Sequence, residues 1–123
     1  MAYIINLKKF HDDRGSLIAI EDRQIPFKIK RVYNIVNPSG VRGRHRHRKT
    51  VQAMICVSGS CVVYNNDGTK EEEFFLDSPT KCLILEAKDW HLMKEFKGNC
   101  VIEVMASEYY DANDYISEPY EFI

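Results

Sequence analysis

Apolar and polar residues alternate along almost the whole chain, and turn-forming clusters break the alternation every eight to twelve positions. Candidate strands fall at 3–7, 16–21, 30–36, 43–49, 51–57, 61–65, 69–75, 81–85, 89–96 and 100–106. Between them lie Asp13-Arg14-Gly15, Pro38-Ser39-Gly40, Ser58-Gly59-Ser60, Asp77-Ser78-Pro79 and Lys97-Gly98-Asn99. Side chains two apart on a strand share a face, so this rhythm predicts an all-β sandwich or barrel and excludes alternating βα units. The sharpest turn signal is Asn66-Asp67-Gly68, where Asp-Gly tolerates the positive φ of a tight hairpin. No stretch longer than about ten residues keeps a helical period. One short turn is expected between Tyr109 and Asp114, with Asp111 and Asn113 as caps.

At 123 residues the chain is expected to form one domain, 1–123, large enough to hold a core without disulfides or zinc. Seventeen basic against eighteen acidic residues leave a net charge of −1, which argues against a nucleic-acid-binding domain. No apolar run reaches the ~18 residues of a membrane span, and nothing near Met1 reads as a signal peptide. A cytoplasmic protein with no membrane or nucleic-acid partner is expected. Cys56, Cys61, Cys82 and Cys100 form no Cys-x-x-Cys and sit among β-branched residues. They read as reduced, buried small hydrophobes rather than a zinc site. Glu71-Glu72-Glu73 reads as a solvated hairpin face.

The chemistry concentrates in Arg42-Gly43-Arg44-His45-Arg46-His47-Arg48. On a strand, His45 and His47 project to one face while Arg44, Arg46 and Arg48 take the other. Two neighbouring imidazoles supply either metal ligands or an acid–base pair working near neutral pH.

His45-x-His47, four residues, Gln52, six residues and Gly59 resemble the first motif of the cupin superfamily, and His91 falls where its second motif places a histidine. Metal-binding cupins carry a Glu after the histidine pair. Here Val51 and Gln52 occupy the two candidate positions, and a neutral amide is a poor replacement for a carboxylate ligand. No metal and no cofactor are therefore expected.

A closer resemblance runs through nearly the whole chain. Residues 13–21 and 25–33, then Arg42-Gly43-x-His45-x-His47, Gln52, Ser58-Gly59-Ser60-Cys61, Leu76-Asp77-Ser78-Pro79, Ala106-Ser107-x-Tyr109-Tyr110-Asp111 and Asp114-Tyr115-Ile116 are similar to the dTDP-4-keto-6-deoxyglucose 3,4-ketoisomerases. The resemblance implies a small cupin (jelly-roll) barrel, a homodimer exchanging N-terminal strands, and metal-independent isomerisation through an enediolate. It also implies a supply of 3-amino-3,6-dideoxyhexoses for surface polysaccharide such as lipopolysaccharide. By that resemblance His47 is the proton shuttle, His45 its partner, and Tyr33 a hydrogen-bond donor to the sugar. Arg42, then Arg14 and Arg31, are candidates for the diphosphate, since guanidinium bonds phosphate oxygens in pairs. His91 and Ser16 are expected near C4 of the sugar, and Gln52 in the substrate pocket.

The pattern departs at Arg46, where a small residue is expected. If Arg46 turns away from the cavity, the chemistry is unaffected. Two other readings use the same residues: a sugar-nucleotide 3,5-epimerase, and a metal-dependent cupin using His45, His47, Gln52 and His91. A non-catalytic sugar or nucleotide binder is a third. Dimerisation is also expected from exposed strand edges, with Ile4-Ile5 as a segment able to pair with a partner's sheet.

Overall fold

The computed structural model describes residues 1–121. Its strands are β1 (Tyr3–Asn6), β2 (Lys9–Asp12), β3 (Gly15–Ile18), β4 (Arg31–Val36), β5 (Arg42–His47), β6 (Gln52–Asn66), β7 (Glu71–Leu76), β8 (Lys81–Leu85), β9 (Trp90–Ala106) and β10 (Tyr115–Ile116). Single 3₁₀ turns occupy Asp22–Gln24 and Ala112–Asp114. One sheet runs β1-β8-β6-β9-β5-β10, with β7 against β6 and β4 against β9, and every pairing is antiparallel.

Two long central strands organise this barrel. β6 and β9 pair with each other, and each changes its second neighbour part-way along. β6 lies beside β8 at 52–54 and beside β7 at 61–66. β9 lies beside β5 at 91–93 and beside β4 at 101–106. The turns expected at Ser58-Gly59-Ser60 and Lys97-Gly98-Asn99 are instead bends inside these strands, where the β6–β9 register shifts between Cys56 and Val62. Gly59 (φ +69°) meets the partner strand so closely that a Cβ would stand 2.1 Å from the Lys97 carbonyl oxygen. Only glycine permits that approach, so the residue marks a bend rather than a reversal.

Both faces of the central strands are buried. Met54, Cys56, Leu83, Leu85, Ile102 and Val104 point into the barrel, while Ala53, Ile55, Cys82, Ile84 and Met105 form a second apolar layer outside it. Ile18, Ile20, Ile25, Phe27 and Ile29 pack on that outer layer. The segment expected as a strand over 16–21 is therefore strand only to Ile18, and continues as an irregular cover.

The Asp67 carboxylate accepts the N–H groups of Thr69 and Lys70, each at 2.9 Å, closing the β6–β7 hairpin at its expected place. The Asp111 carboxylate accepts the Asn113 N–H at 3.0 Å and caps the tail turn, also as expected. All four cysteines are unbridged and buried. Ile4 and Ile5 pair with Leu83 and Cys82 of β8 in the same chain, and β1 is the end strand of that sheet. Among the described residues, β2 and β3 pair only with each other. No helix among the described residues is long and apolar enough to cross a membrane.

Candidate active site

The His pair is set in place by a bulge. Gly43 (φ +93°) and Arg44 (φ +62°) interrupt β5, and its register with β9 shifts between Gly43 and His45. At Gly43 a Cβ would lie 3.1 Å from the His91 carbonyl oxygen, so the missing side chain lets β5 close on β9. His45 then stands opposite His91 in the ladder, their ring centroids 5.1 Å apart. His45 and His47 share a face as the alternation requires, with centroids 5.0 Å apart.

Arg46 turns the other way. Its guanidinium lies 4.3 Å from the centre of the Tyr120 ring and donates to the Tyr120 hydroxyl at 3.2 Å. Arg48 donates to the Asn113 carbonyl at 3.0 Å. Much of the basic stripe thus docks the C-terminal segment onto β5.

A cavity of about 340 Å³ opens beside the histidines. Arg31 and Tyr33 of β4, Arg42 and His45 of β5, and His91 of β9 line it, over a floor of Ile35, Met54 and Met93. Tyr110 and Tyr115 close the remaining side. His47 is not on this wall. It is 4 % exposed and lies behind His45, with Tyr115 stacked edgewise on both rings at 4.8 Å and 4.7 Å. Gln52 is buried as well and reaches the site through Tyr33, donating from Nε2 to the phenol oxygen at 2.9 Å.

Hydrogen bonding fixes the tautomers. The Nδ1 of His45 lies 3.2 Å from the Gly43 carbonyl, and that of His91 lies 3.0 Å from the Asp89 carbonyl. A carbonyl only accepts, so each Nδ1 carries the proton and each Nε2 is left basic when the ring is neutral. Burial lowers His45, lowers His91 to about 3, and lowers His47 to about 4 with help from the neighbouring His45 and Arg31 charges. All three rings are accordingly neutral at pH 7.

Tyr33 moves the opposite way. Burial, reinforced by Tyr115, pushes its phenol up to about 12, so it stays protonated. Its oxygen accepts from Gln52, and its own O–H has no protein acceptor among the described residues. That proton is available to a ligand in the cavity.

The β5 end is clamped from below. Burial would raise the Asp114 carboxyl, but the Thr50 hydroxyl and the Lys49 N–H (2.8 Å) bind it and hold it below the usual range.

Arg14 and Ser16 do not reach this cavity within one chain. They lie on the β2–β3 hairpin, where Arg14 pairs with Asp12 at 2.6 Å and Ser16 bonds His11 at 2.8 Å. The reason is topological: among the described residues that hairpin pairs with no other strand. Tyr115 joins the site from 68 residues beyond His47, a separation at which no local spacing in the sequence links the two.

The three imidazoles do not form a cluster of converging ligand atoms. Among the described residues, the trio of His, Cys, Asp or Glu ligand atoms found mutually within 4.8 Å is Cys56, Cys61 and Cys100. Gln52 is turned to Tyr33 rather than to the imidazoles.

Residues 1–123 match the family described as "FdtA: WxcM-like, C-terminal". The chain belongs to this family. Over 118 residues this WxcM-like chain is 48 % identical to the TDP-4-oxo-6-deoxy-alpha-D-glucose-3,4-oxoisomerase of Aneurinibacillus thermoaerophilus, covering 94 % of the chain and 85 % of that protein. The crystal structure of the TDP-quinovose 3,4-ketoisomerase WlaRB of Campylobacter jejuni superposes with a TM-score of 0.89 at 41 % identity, over 95 % of this chain and 92 % of that one. A histidine-to-asparagine variant of the 3,4-ketoisomerase QdtA of Thermoanaerobacterium thermosaccharolyticum, in complex with TDP-4-keto-6-deoxyglucose, gives 0.90 at 37 % identity, over 95 % and 87 %. The resemblance read from the motifs is therefore borne out, as is the all-β barrel.

Proposed function

We propose that the chain is a sugar-nucleotide 3,4-ketoisomerase that converts dTDP-4-keto-6-deoxyglucose into a dTDP-3-keto-6-deoxyhexose by proton transfer alone. One observation carries this reading: a neutral imidazole with a free Nε2, that of His45, shares a cavity with a phenol, that of Tyr33, whose proton is uncommitted.

The C4 ketone acidifies the hydrogen on C3. His45 Nε2 takes that proton, the electron pair moves to the C4 oxygen, and the Tyr33 hydroxyl donates to the enediolate as it forms. The protonated imidazole then delivers its proton to C4, the O3 proton passes to O4, and C3 becomes the ketone. Atoms and charge balance with no external reagent. A positioned base contributes about 10²- to 10⁴-fold and an oxyanion donor about 10²- to 10³-fold. Burial favours this chemistry, because a ring neutral at pH 7 accepts a proton and, once charged, returns it readily. His45 rather than His47 takes the shuttle role because it alone of the pair forms the cavity wall. His47 backs it and, with Tyr115, fixes the ring's orientation. His91 borders the sugar opposite His45.

Arg42 and Arg31, at the cavity's cationic side, bind the diphosphate. A homodimer is part of the proposal. Phe10 and Leu17 sit opposite each other on the β2–β3 hairpin, 53 % and 60 % exposed, and a second copy covering them would bring its own Arg14 and Ser16 toward a neighbouring cavity. Four buried, unbridged cysteines support a cytoplasmic location for the enzyme.

The test is incubation with dTDP-4-keto-6-deoxyglucose, with and without a chelator, followed by NMR of the sugar. A carbonyl at C3, formed equally with chelator present, is the expected outcome. No turnover, a product inverted at C5, or activity lost to chelator and restored by a metal ion would each overturn the reading.

A further inference from the structure

The isomerase chemistry leaves one group of reactive side chains unused. Cys56 and Cys61 lie on β6 on either side of the Gly59 bend, and Cys100 lies on β9 just beyond Gly98. Their three sulfur atoms are all within 4.8 Å of one another, and Cys56 Sγ is 3.5 Å from Cys100 Sγ. The trio sits in the inner apolar core with Val63, Leu76 and Ile102. Cys100 borders a surface dent of about 240 Å³ beside Pro38 and Asn99.

Geometry and charge together select the ligand. A soft centre with sulfur bonds of about 2.3 Å spaces three sulfurs about 3.5 Å apart in a pyramid and about 4 Å apart in a plane. An all-thiol donor set favours soft, thiophilic centres over Mg, Ca or Mn. Three thiolates on a monovalent or divalent ion would leave net negative charge in a dry core, which is costly without a partner. A trivalent centre leaves none.

We propose that Cys56, Cys61 and Cys100 form a three-thiol binding site for a trivalent thiophilic metalloid, of which arsenous acid is the simplest form. The reaction is a condensation: three S–H bonds and three As–OH bonds break, three As–S bonds form, and three waters leave. Nothing is oxidised or reduced, and the product is uncharged. Because the sulfurs straddle the crossing of β6 and β9, occupancy ties that crossing together.

The probe is arsenite added to the reduced, full-length protein, read by native mass spectrometry, by near-ultraviolet sulfur-to-arsenic charge-transfer absorbance and by thermal melting. One arsenic per chain with loss of three hydrogens, together with a raised Tm, is expected. Cys82→Ala, which removes the buried thiol of the outer layer, leaves this adduct unchanged. Cys100→Ala weakens it by about 10²-fold, since the third thiol no longer acts at high effective concentration. Wild-type protein decides the matter if that variant fails to fold. No adduct, an adduct lacking fewer than three hydrogens, dependence on Cys82, or tighter binding of Zn(II) or Cd(II) than of arsenite would each refute the proposal.

Discussion

Replacing Tyr33 by Phe separates catalysis from packing, because the phenol oxygen has two distinct jobs. In the folded chain it accepts from Gln52 Nε2 at 2.9 Å, and Gln52 is 2 % exposed. Removing the acceptor leaves a buried amide donor unpaired, which costs about 1–3 kcal/mol of stability. The other job is to donate to the enediolate. Losing an oxyanion donor lowers kcat by about 10²- to 10³-fold, or about 2.7–4 kcal/mol of barrier. The second variant, Tyr33→Phe with Gln52→Met, removes both hydrogen-bonding groups and regains most of the lost stability, since matched apolar replacement is nearly neutral. Its kcat stays low. Denaturant unfolding gives the stabilities, and NMR progress curves at saturating substrate give kcat. A Tyr33→Phe enzyme turning over near the wild-type rate would refute the donor role. A double variant that recovered activity along with stability would show the phenol to be structural only.

The buried imidazoles also set a pH dependence. Unfolded, His47 and His91 titrate near 6.5; folded, burial lowers them to about 4 and about 3. Below pH 6.5 the unfolded chain binds protons that the folded chain does not, so stability is complete above that pH and falls on acidification, by about 2 kcal/mol per ring at pH 5. Urea titrations across that range check it, and a flat profile would contradict buried neutral rings. Gly59→Ala places a Cβ 2.1 Å from the Lys97 carbonyl oxygen in left-handed backbone, and a loss above about 4 kcal/mol, seen as a collapse of Tm or of soluble yield, is expected. Leu17→Asp charges the exposed hairpin and should shift sedimentation toward monomer with a parallel drop in kcat/KM; an active monomer would remove the second copy from the account.

Period two was enough to read the fold class, because it depends only on neighbours two apart. Glycine punctuation was not enough to separate a reversal from a bend. Gly59 and Gly98 carry the same local signal as Gly68, yet they serve a crossing of β6 and β9 that no short window contains. β2 carries no alternation to read, because Lys9–Asp12 has a single large apolar residue, Phe10, and among the described residues it pairs only with β3. At the site, the His45-x-His47 alternation survived the bulge because the distortion falls before His45, at Gly43 and Arg44. Which ring forms the wall is a different question. It depends on β9 and on Tyr115, which β10 delivers opposite His47 from the far end of the chain. The cysteines show the same limit: each looks like an ordinary core residue in its own strand, and only the β6–β9 pairing gathers three of them.

The account turns on His45 as the group that moves hydrogen from C3 to C4. The direct measurement is turnover of dTDP-4-keto-6-deoxyglucose in D₂O by wild type, His45→Asn and His47→Asn, with deuterium located by NMR. Wild type should carry the C3 protium to C4, with deuterium there only to the extent that the His45 imidazolium exchanges with solvent, and leave C5 protonated. His45→Asn should slow C3 proton loss by about 10²- to 10⁴-fold, and His47→Asn by less. Deuterium at C5, or an undiminished C3 exchange rate in His45→Asn, would contradict it.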